Sequence, residues 1–291
     1  MTGSSGFVGT WLVAHLGESG DEVLSLPDSL DILDSAGLEA AVQHASPEGI
    51  CHLAGQASVR ASWQDPQATY QVNTLGTAHL VAAAAACSPA PRVLLVSSAE
   101  VYGRVAVEDL PIAEDRPFAP PSPYGASKAA AELIGLQAWL GGGLEVVRAR
   151  PFNHTGPGQR EDFVVPALAR QVVEAGRAGA GTLRVGNLAA RRDLIDVRDV
   201  VRAYRLLLQQ GDPGEVYNVC RGTSVAVSEV LDRLLRLAGV DAHVELDPAR
   251  LRPADVPDLR GDPTRLHELT GWRPEVDLDT TLSEVLRSLA G

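Results

Sequence analysis

MTGSSGFVG, residues 1–9, opens the chain, and its glycines at positions 3, 6 and 9 set the first constraint on the fold. Glycines at this spacing permit a tight turn and let backbone amides approach a pyrophosphate, which then rests on the N-terminus of the helix that follows. That helix is expected over residues 11–16. Alone the run is a weak signal, because a glycine-rich turn needs no ligand. Working outward strengthens it. Extended segments at 21–26, 49–53, 92–97 and 144–150 alternate with helical ones at 38–44, at 74–87 and from near Tyr124 onward. The stretch 92–97 (RVLLVS) has the β-branched content of a buried strand. The alanine-rich 74–87 favours helix until Pro89 and Pro91 stop it. Such alternation specifies βαβ units and an α/β fold, a Rossmann doubly wound parallel sheet.

A glycine turn of this kind should follow a buried strand, yet only Met1 and Thr2 precede it. The first strand normally lies in the middle of such a sheet, and losing it would strip two neighbours of their hydrogen-bond partner. The expectation is therefore a first strand cut short and a longer native N-terminus, which intact-mass measurement would reveal. After Pro151 the pattern loosens. Helices are expected over 163–174, 199–209 and 227–237, strands over 182–185 and 215–219, and the tail 247–271 is rich in Pro, Asp and Arg. The organisation expected is a cofactor-binding domain over 1–152, with segments returning to it from about 193–220. A smaller substrate-binding region would occupy most of 153–291.

Composition narrows the function. The 291 residues are 45% hydrophobic but only 4% aromatic, so the core is aliphatic. A formal charge of −12 argues against a nucleic-acid partner. Cys51, Cys87 and Cys220 lie far apart and form no metal or disulfide pattern. The longest apolar run, 75–87, is too short to span a membrane, and no signal segment opens the chain, so a cytoplasmic protein is expected. No metal site is expected.

Tyr124 and Lys128 stand four apart in YGASK and would share one helical face. A lysine near a tyrosine favours the phenolate and lowers its pKa, making it a usable proton donor and acceptor. YxxxK alone is common on surfaces. Its order here decides: a glycine turn, then Asn73, then Ser97 and Ser98 at a strand end, then Tyr124 and Lys128 is the layout of a hydride-transfer site on a nicotinamide cofactor. No Lys or Arg occurs before Arg60, while Asp28, Asp31 and Asp34 lie beyond the second strand. NADP usually wants a cation for its 2′-phosphate and NAD an acid for its ribose, so NAD(H) is favoured. Asp31 and Ile32 could instead meet the adenine, and a cation from elsewhere could hold NADP.

With these residues in place, the chain resembles the extended short-chain dehydrogenase/reductases of the NAD-dependent epimerase/dehydratase family over essentially its full length. It is nearest to the GDP-6-deoxy-4-keto-D-mannose reductase branch, itself similar to GDP-mannose 4,6-dehydratases. TGSSGFVG (2–9), HLAGQASV (52–59), NTLGT (73–77), SSAEVYG (97–103) and SPYGASK (122–128) are generic to extended members. NHTGPGQ (153–159), GNLAARRD (186–193) and RPADVP (252–257) are more specific to the sugar-nucleotide branch, and VYNVC (216–220) is a further matching segment.

The resemblance implies that Ser98 bonds the substrate oxygen at C4, that Tyr124 protonates it, and that Lys128 holds the nicotinamide ribose and tunes Tyr124. Glu100 matches the dehydratase base for C5, or serves as a polar orienter. It implies a cofactor site made by Gly3, Gly6, Phe7, Val8, Gly9, Asp31, Ile32, Leu53, Ala54 and Asn73 together with Tyr124 and Lys128. Asn153, Asn187, Arg192 and Arg252 would bind a nucleotide sugar. Guanidinium groups suit phosphate bidentately, though each arginine taken alone fits a surface ion pair equally well. The function implied is hydride transfer from NAD(P)H to the C4 ketone of a GDP-4-keto-6-deoxyhexose, giving a product such as GDP-D-rhamnose. The alternatives are a 4,6-dehydratase or 4-epimerase with tightly bound NAD(P), and a non-catalytic NAD(P)-binding protein. Relatives use two alanine-rich helices as a four-helix interface, so a homodimer is implied.

Overall fold

The computed structural model describes residues 1–27, 29–179, 181–250 and 256–290. Its strands are β1 (Gly49–His52), β2 (Arg92–Val96), β3 (Val146–Pro151), β4 (Asn153–Thr155), β5 (Thr182–Val185), β6 (Arg191–Arg192), β7 (Leu194–Asp196), β8 (Val216–Val219), β9 (Val225–Ala226), β10 (His243–Leu246) and β11 (Asp258–Leu259). Its α-helices are α1 (Phe7–Glu18), α2 (Ser35–Ala45), α3 (Val59–Gln64), α4 (Pro66–Tyr70), α5 (Gly76–Ala85), α6 (Pro123–Gly142), α7 (Val164–Ala178), α8 (Val197–Gln210), α9 (Val227–Ala238), α10 (Thr264–Thr270) and α11 (Leu278–Ala290). A π-helical turn, Gln71–Leu75, joins α4 to α5.

The central sheet runs β1-β2-β3-β8, parallel throughout. Alternate strand residues feed two cores, as the period of two demands. Cys51, Leu94, Val147, Ala149 and Tyr217 pack with Leu12 of α1 and Val200, Tyr204 and Leu207 of α8. Ile50, Val93, Leu95 and Val146 pack with Leu38 of α2, Leu80 of α5 and Ala138 of α6. Helices thus cover both faces, the doubly wound arrangement expected. A third core lies apart from the sheet, where α7, α9 and α11 pack with β5, the partner of β10, through Leu168, Val172, Leu183, Leu231, Leu234 and Leu282.

Thr2 bridges to His52 on the free side of β1, its amide donating to the Cys51 carbonyl at 3.2 Å and its carbonyl accepting from Leu53 at 3.3 Å. The Leu26 amide donates to the Met1 carbonyl at 3.0 Å. The order at this side is therefore segment 21–27, then Met1–Thr2, then β1. The strand expected at 21–26 is not a strand here. Only two residues lie beside it, and a ladder cannot run without a partner of matching length. The helices α3, α4, α10 and α11 were not anticipated; α3 and α4 are a turn or so each, begun by the caps Ser58 and Asp65.

The helix carrying Tyr124 begins one residue before it. Pro123 occupies its first turn, the Ser122 hydroxyl accepts from the Gly125 amide at 3.1 Å, and Gly143 ends it at φ 71°. Small residues let α6 lie close on the sheet: a Cβ at Gly135 would sit 3.0 Å from Val146 and 3.1 Å from Leu95.

Candidate active site

The turn before α1 is built from backbone packed against backbone. Gly3 has φ +69°, and a Cβ there would lie 2.7 Å from the Ala54 nitrogen and 2.8 Å from the Leu53 carbonyl carbon. A Cβ at Gly9 would lie 2.1 Å from the Gly3 oxygen. Gly6 stands at the N-cap, and no side chain caps the helix, so its first-turn amides remain for a polar ligand. Phe7 stacks on His154 with ring centroids 6.2 Å apart. Gly3, Gly6, Phe7, Gly9, Leu53 and Ala54 therefore meet at one end of the sheet. Gly9→Ala should cost about 1–3 kcal/mol of stability, because no flexible atom can yield. Gly17→Ala, in open space on the same helix, should instead stabilise by about 0.5–1 kcal/mol. Urea denaturation of both variants checks the contrast.

Tyr124 and Lys128 face the end of β2. The Lys128 ammonium donates to the Val96 carbonyl at 2.9 Å. Ser98 caps a short 3-10 turn, its hydroxyl accepting from the Glu100 amide at 3.2 Å, and it also hydrogen-bonds the Tyr124 phenol. Burial pushes Tyr124 up to about 12; the Ser98 bond opposes this and the Glu100 charge adds to it. The expected depression of the tyrosine by lysine is thus not what the structure shows. Removal from water dominates and holds the phenol neutral, the form that donates a proton. Burial also pulls Lys128 down to about 8, against the attraction of Glu132.

Asn73 lies in the π-helical turn, a distortion that often marks functional positions. Its Oδ1 accepts from the Gln56 amide at 2.8 Å, and its Nδ2 donates to the Gln56 carbonyl at 3.0 Å and the Ser127 hydroxyl at 2.9 Å. Ser127 in turn donates to the Tyr124 carbonyl at 2.7 Å. Asn73 thereby ties the 53–58 loop to the turn of α6 that carries Tyr124. A Cβ at Gly55 would come within 2.9 Å of Asn73 Oδ1 and 3.6 Å of Lys128 Nζ, so the backbone must pass bare at this point.

The residues expected to bind a nucleotide sugar are more dispersed. Asn153 starts β4 directly beyond β3, and its Oδ1 is buried with no hydrogen-bond partner among the described residues. An orphaned acceptor of this kind fits a ligand donor. Asn187 is exposed and its Oδ1 accepts from the Ala189 amide at 3.1 Å. Arg192 donates to the carbonyls of Arg191 and Val256, at 2.8 and 2.7 Å. Arg252 lies outside the described residues.

Two features escaped the sequence reading. Arg150 and Glu132 form a buried pair behind the site, signalled only by Glu132 standing one turn beyond Lys128. Asp193, within the recognised GNLAARRD segment, accepts backbone amides of Arg221 and Gly222 at 2.8 and 2.9 Å, and burial raises it to about 6.

The uncapped turn, the close-packed glycines and the Tyr124–Lys128 face together fit a dinucleotide. At its adenosine end the acids are already engaged. Asp31 accepts from the Leu33 amide at 2.9 Å and Asp34 caps α2 through the Gly37 amide at 3.0 Å, while Asp28 lies outside the described residues.

Known proteins are similar to this chain over most of its length. The family model for GDP-mannose 4,6 dehydratase matches residues 27–285. GDP-6-deoxy-D-mannose reductase of Pseudomonas aeruginosa is 40% identical over 289 residues, spanning 98% of this chain and 95% of that protein. A GDP-mannose 4,6-dehydratase of Vibrio cholerae is 28% identical, across 89% of this chain and 77% of its own length. The solved structure of RMD from Pseudomonas aeruginosa superposes with a TM-score of 0.91 at 38% identity, covering 99% of this chain and 97% of the other. That relative is complexed with NADPH. The preference for NAD(H) is thereby overturned. The acids on which it rested serve a turn and a cap.

Proposed function

The chain belongs to the GDP-mannose 4,6-dehydratase family of extended short-chain dehydrogenase/reductases, and on that premise we propose that it reduces the C4 ketone of a GDP-4-keto-6-deoxyhexose to the alcohol, with NADPH as donor. The observation that carries this reading is the neutral, buried Tyr124 hydrogen-bonded to Ser98 beside Lys128. When bound, the reduced nicotinamide supplies the hydride that C4 accepts. The Ser98 hydroxyl holds the ketone oxygen, and the Tyr124 phenol gives that oxygen its proton, a transfer needing hydrogen-bond reach and a neutral donor. The Lys128 ammonium binds the cofactor ribose and stabilises the phenolate left on Tyr124. The amides of the Gly3–Gly9 turn take the pyrophosphate, and Asn153, Asn187, Arg192 and Arg252 take the nucleotide sugar.

Incubating the protein with GDP-4-keto-6-deoxymannose and NADPH tests the assignment. Stoichiometric oxidation of NADPH with a C4 alcohol seen by NMR is expected, and the spectrum fixes the stereochemistry. A dehydratase reading has one observation in its favour, the Glu100 charge that acts on Tyr124. Loss of water from GDP-mannose in a parallel tube, without net NADPH oxidation, would select it.

The charge on Lys128 predicts a pH profile. The ammonium is present below its pKa of about 8 and is lost as pH rises through that value, whereas Tyr124, near 12, stays neutral. We expect kcat/KM to fall on the alkaline side with a midpoint near 8. A profile flat beyond that pH would show that the ammonium is not required.

We further propose a homodimer through α5 and α6. Leu133 and Leu140, seven apart on α6, are 53% and 74% exposed, an apolar stripe suited to a second copy. Light scattering reads the mass directly. No helix of the described residues is long and apolar enough to cross a membrane. The three cysteines are free thiols, as a reducing compartment would keep them, so we place the enzyme in the cytoplasm.

A further inference from the structure

We propose that Glu132 is a positioning residue of the hydride-transfer site: its buried carboxylate, pinned by Arg150 one helical turn beyond Lys128, holds that lysine in its charged form. Lys128 is the sole lysine of the chain, and every other basic residue in the Lys plus Arg total of 25 is an arginine. Positions four apart on a helix are neighbours, so Glu132 and Lys128 share a face of α6. Glu132 is 0% exposed. Its carboxylate accepts from Arg150 Nε at 2.9 and 3.1 Å and from Arg150 Nη2 at 2.9 Å, and Arg148 Nη1 lies 3.6 Å away. Arg150 is fixed in turn by the Tyr102 hydroxyl at 2.9 Å and the Glu114 carbonyl at 3.0 Å. A carboxylate immobilised away from water acts on a neighbouring ammonium far more strongly than an exposed one.

The other groups around Lys128 supply no counter-charge. Tyr124 on the same helix is neutral. His52 on β1 is hydrogen-bonded between the hydroxyls of Thr2 and Thr77, and burial, with the Lys128 charge, holds it neutral with a pKa of about 3. Asn73, from the π-helical turn, carries no charge, and Glu100 acts on Tyr124. Arg148 and Arg150 on β3 are cations paired with Glu132. Removing the carboxylate both deletes the attraction and uncovers two positive charges, so the sign of the effect is fixed.

The importance of that charge rests on the reductase reading, but its measurement does not. Because there is one lysine, protein grown with lysine carbon-13 labelled at Cε gives one side-chain signal, whose pH titration needs neither cofactor nor substrate. The midpoint expected for the unaltered chain is about 8. Glu132→Gln combined with Arg150→Met neutralises the pair and leaves neither charge buried alone. It should lower the midpoint by about one pH unit, a loss of ammonium that approaches tenfold only at pH above the original midpoint. Glu132→Gln alone should lower it further, and Glu132→Asp, which withdraws the carboxylate by one methylene, should lower it less. The folded state of each variant is confirmed by its amide spectrum. If the Gln variants do not fold, Glu132→Asp decides. A Lys128 midpoint that stays at its original value in the folded variants overturns the proposal and leaves Glu132 a structural partner of Arg150. Shifted midpoints in a chain that reduces no 4-keto sugar would uphold the positioning role while refuting the reductase. Where turnover is seen, the alkaline limb of kcat/KM should move with the NMR midpoint.

Discussion

Tyr124→Phe is expected to slow ketone reduction by about 10²–10⁴-fold while leaving NADPH affinity close to that of the unaltered chain. The phenol is buried, neutral and hydrogen-bonded to Ser98, so the substitution removes one oxygen and its proton and little packing. The ring itself stays buried. Single-turnover decay of NADPH absorbance separates the chemical step from binding, and fluorescence titration measures the affinity. A rate within roughly tenfold of the original would show that another group delivers the proton, with Glu100 the next to replace.

Arg150→Met is expected to lower folding stability by about 3–5 kcal/mol, the largest loss foreseen for any single substitution here. It would leave the Glu132 carboxylate, 0% exposed, facing only the more distant Arg148. It would also strip the Tyr102 hydroxyl of a donor, though that hydroxyl keeps its own bond to Asn218 Oδ1 at 2.7 Å. The double change with Glu132→Gln should recover much of the loss, since a buried pair replaced by neutral groups of similar volume is often tolerated. Urea denaturation midpoints of the two single variants and the double variant give the coupling. Additive losses would mean that the pair does not act as a unit.

Much of this was legible from local pattern. The apolar strands at 49–53, 92–97 and 144–150 formed because each is buried on both faces, and burial leaves a continuous run that periodicity detects. Segment 21–26 has the composition of a strand and is none, because strand formation depends on a neighbour that composition does not report. Tyr124 and Lys128 were visible because helical spacing is local. The Glu132–Arg150 pair joins residues 18 apart, on a helix and a strand, and only tertiary packing brings them together. The direction of the Tyr124 shift was misread for a related reason: spacing shows which charge is near, whereas burial depends on the whole fold. Cofactor choice failed on Asp31 and Asp34, whose carboxylates were committed to nearby amides.

The sole lysine has a practical side. In a chain whose other basic side chains besides histidine are guanidinium groups, reagents that acylate amines find one side chain to attack, and it lies in the site proposed for hydride transfer. Its depressed pKa, about 8, makes the free amine plentiful at mildly alkaline pH, where ordinary surface lysines remain charged. An acylating probe that reaches Lys128 would therefore place one side-chain label per chain, beside any label on the N-terminal amine. Chemistry directed at arginine would leave the sole lysine unmodified.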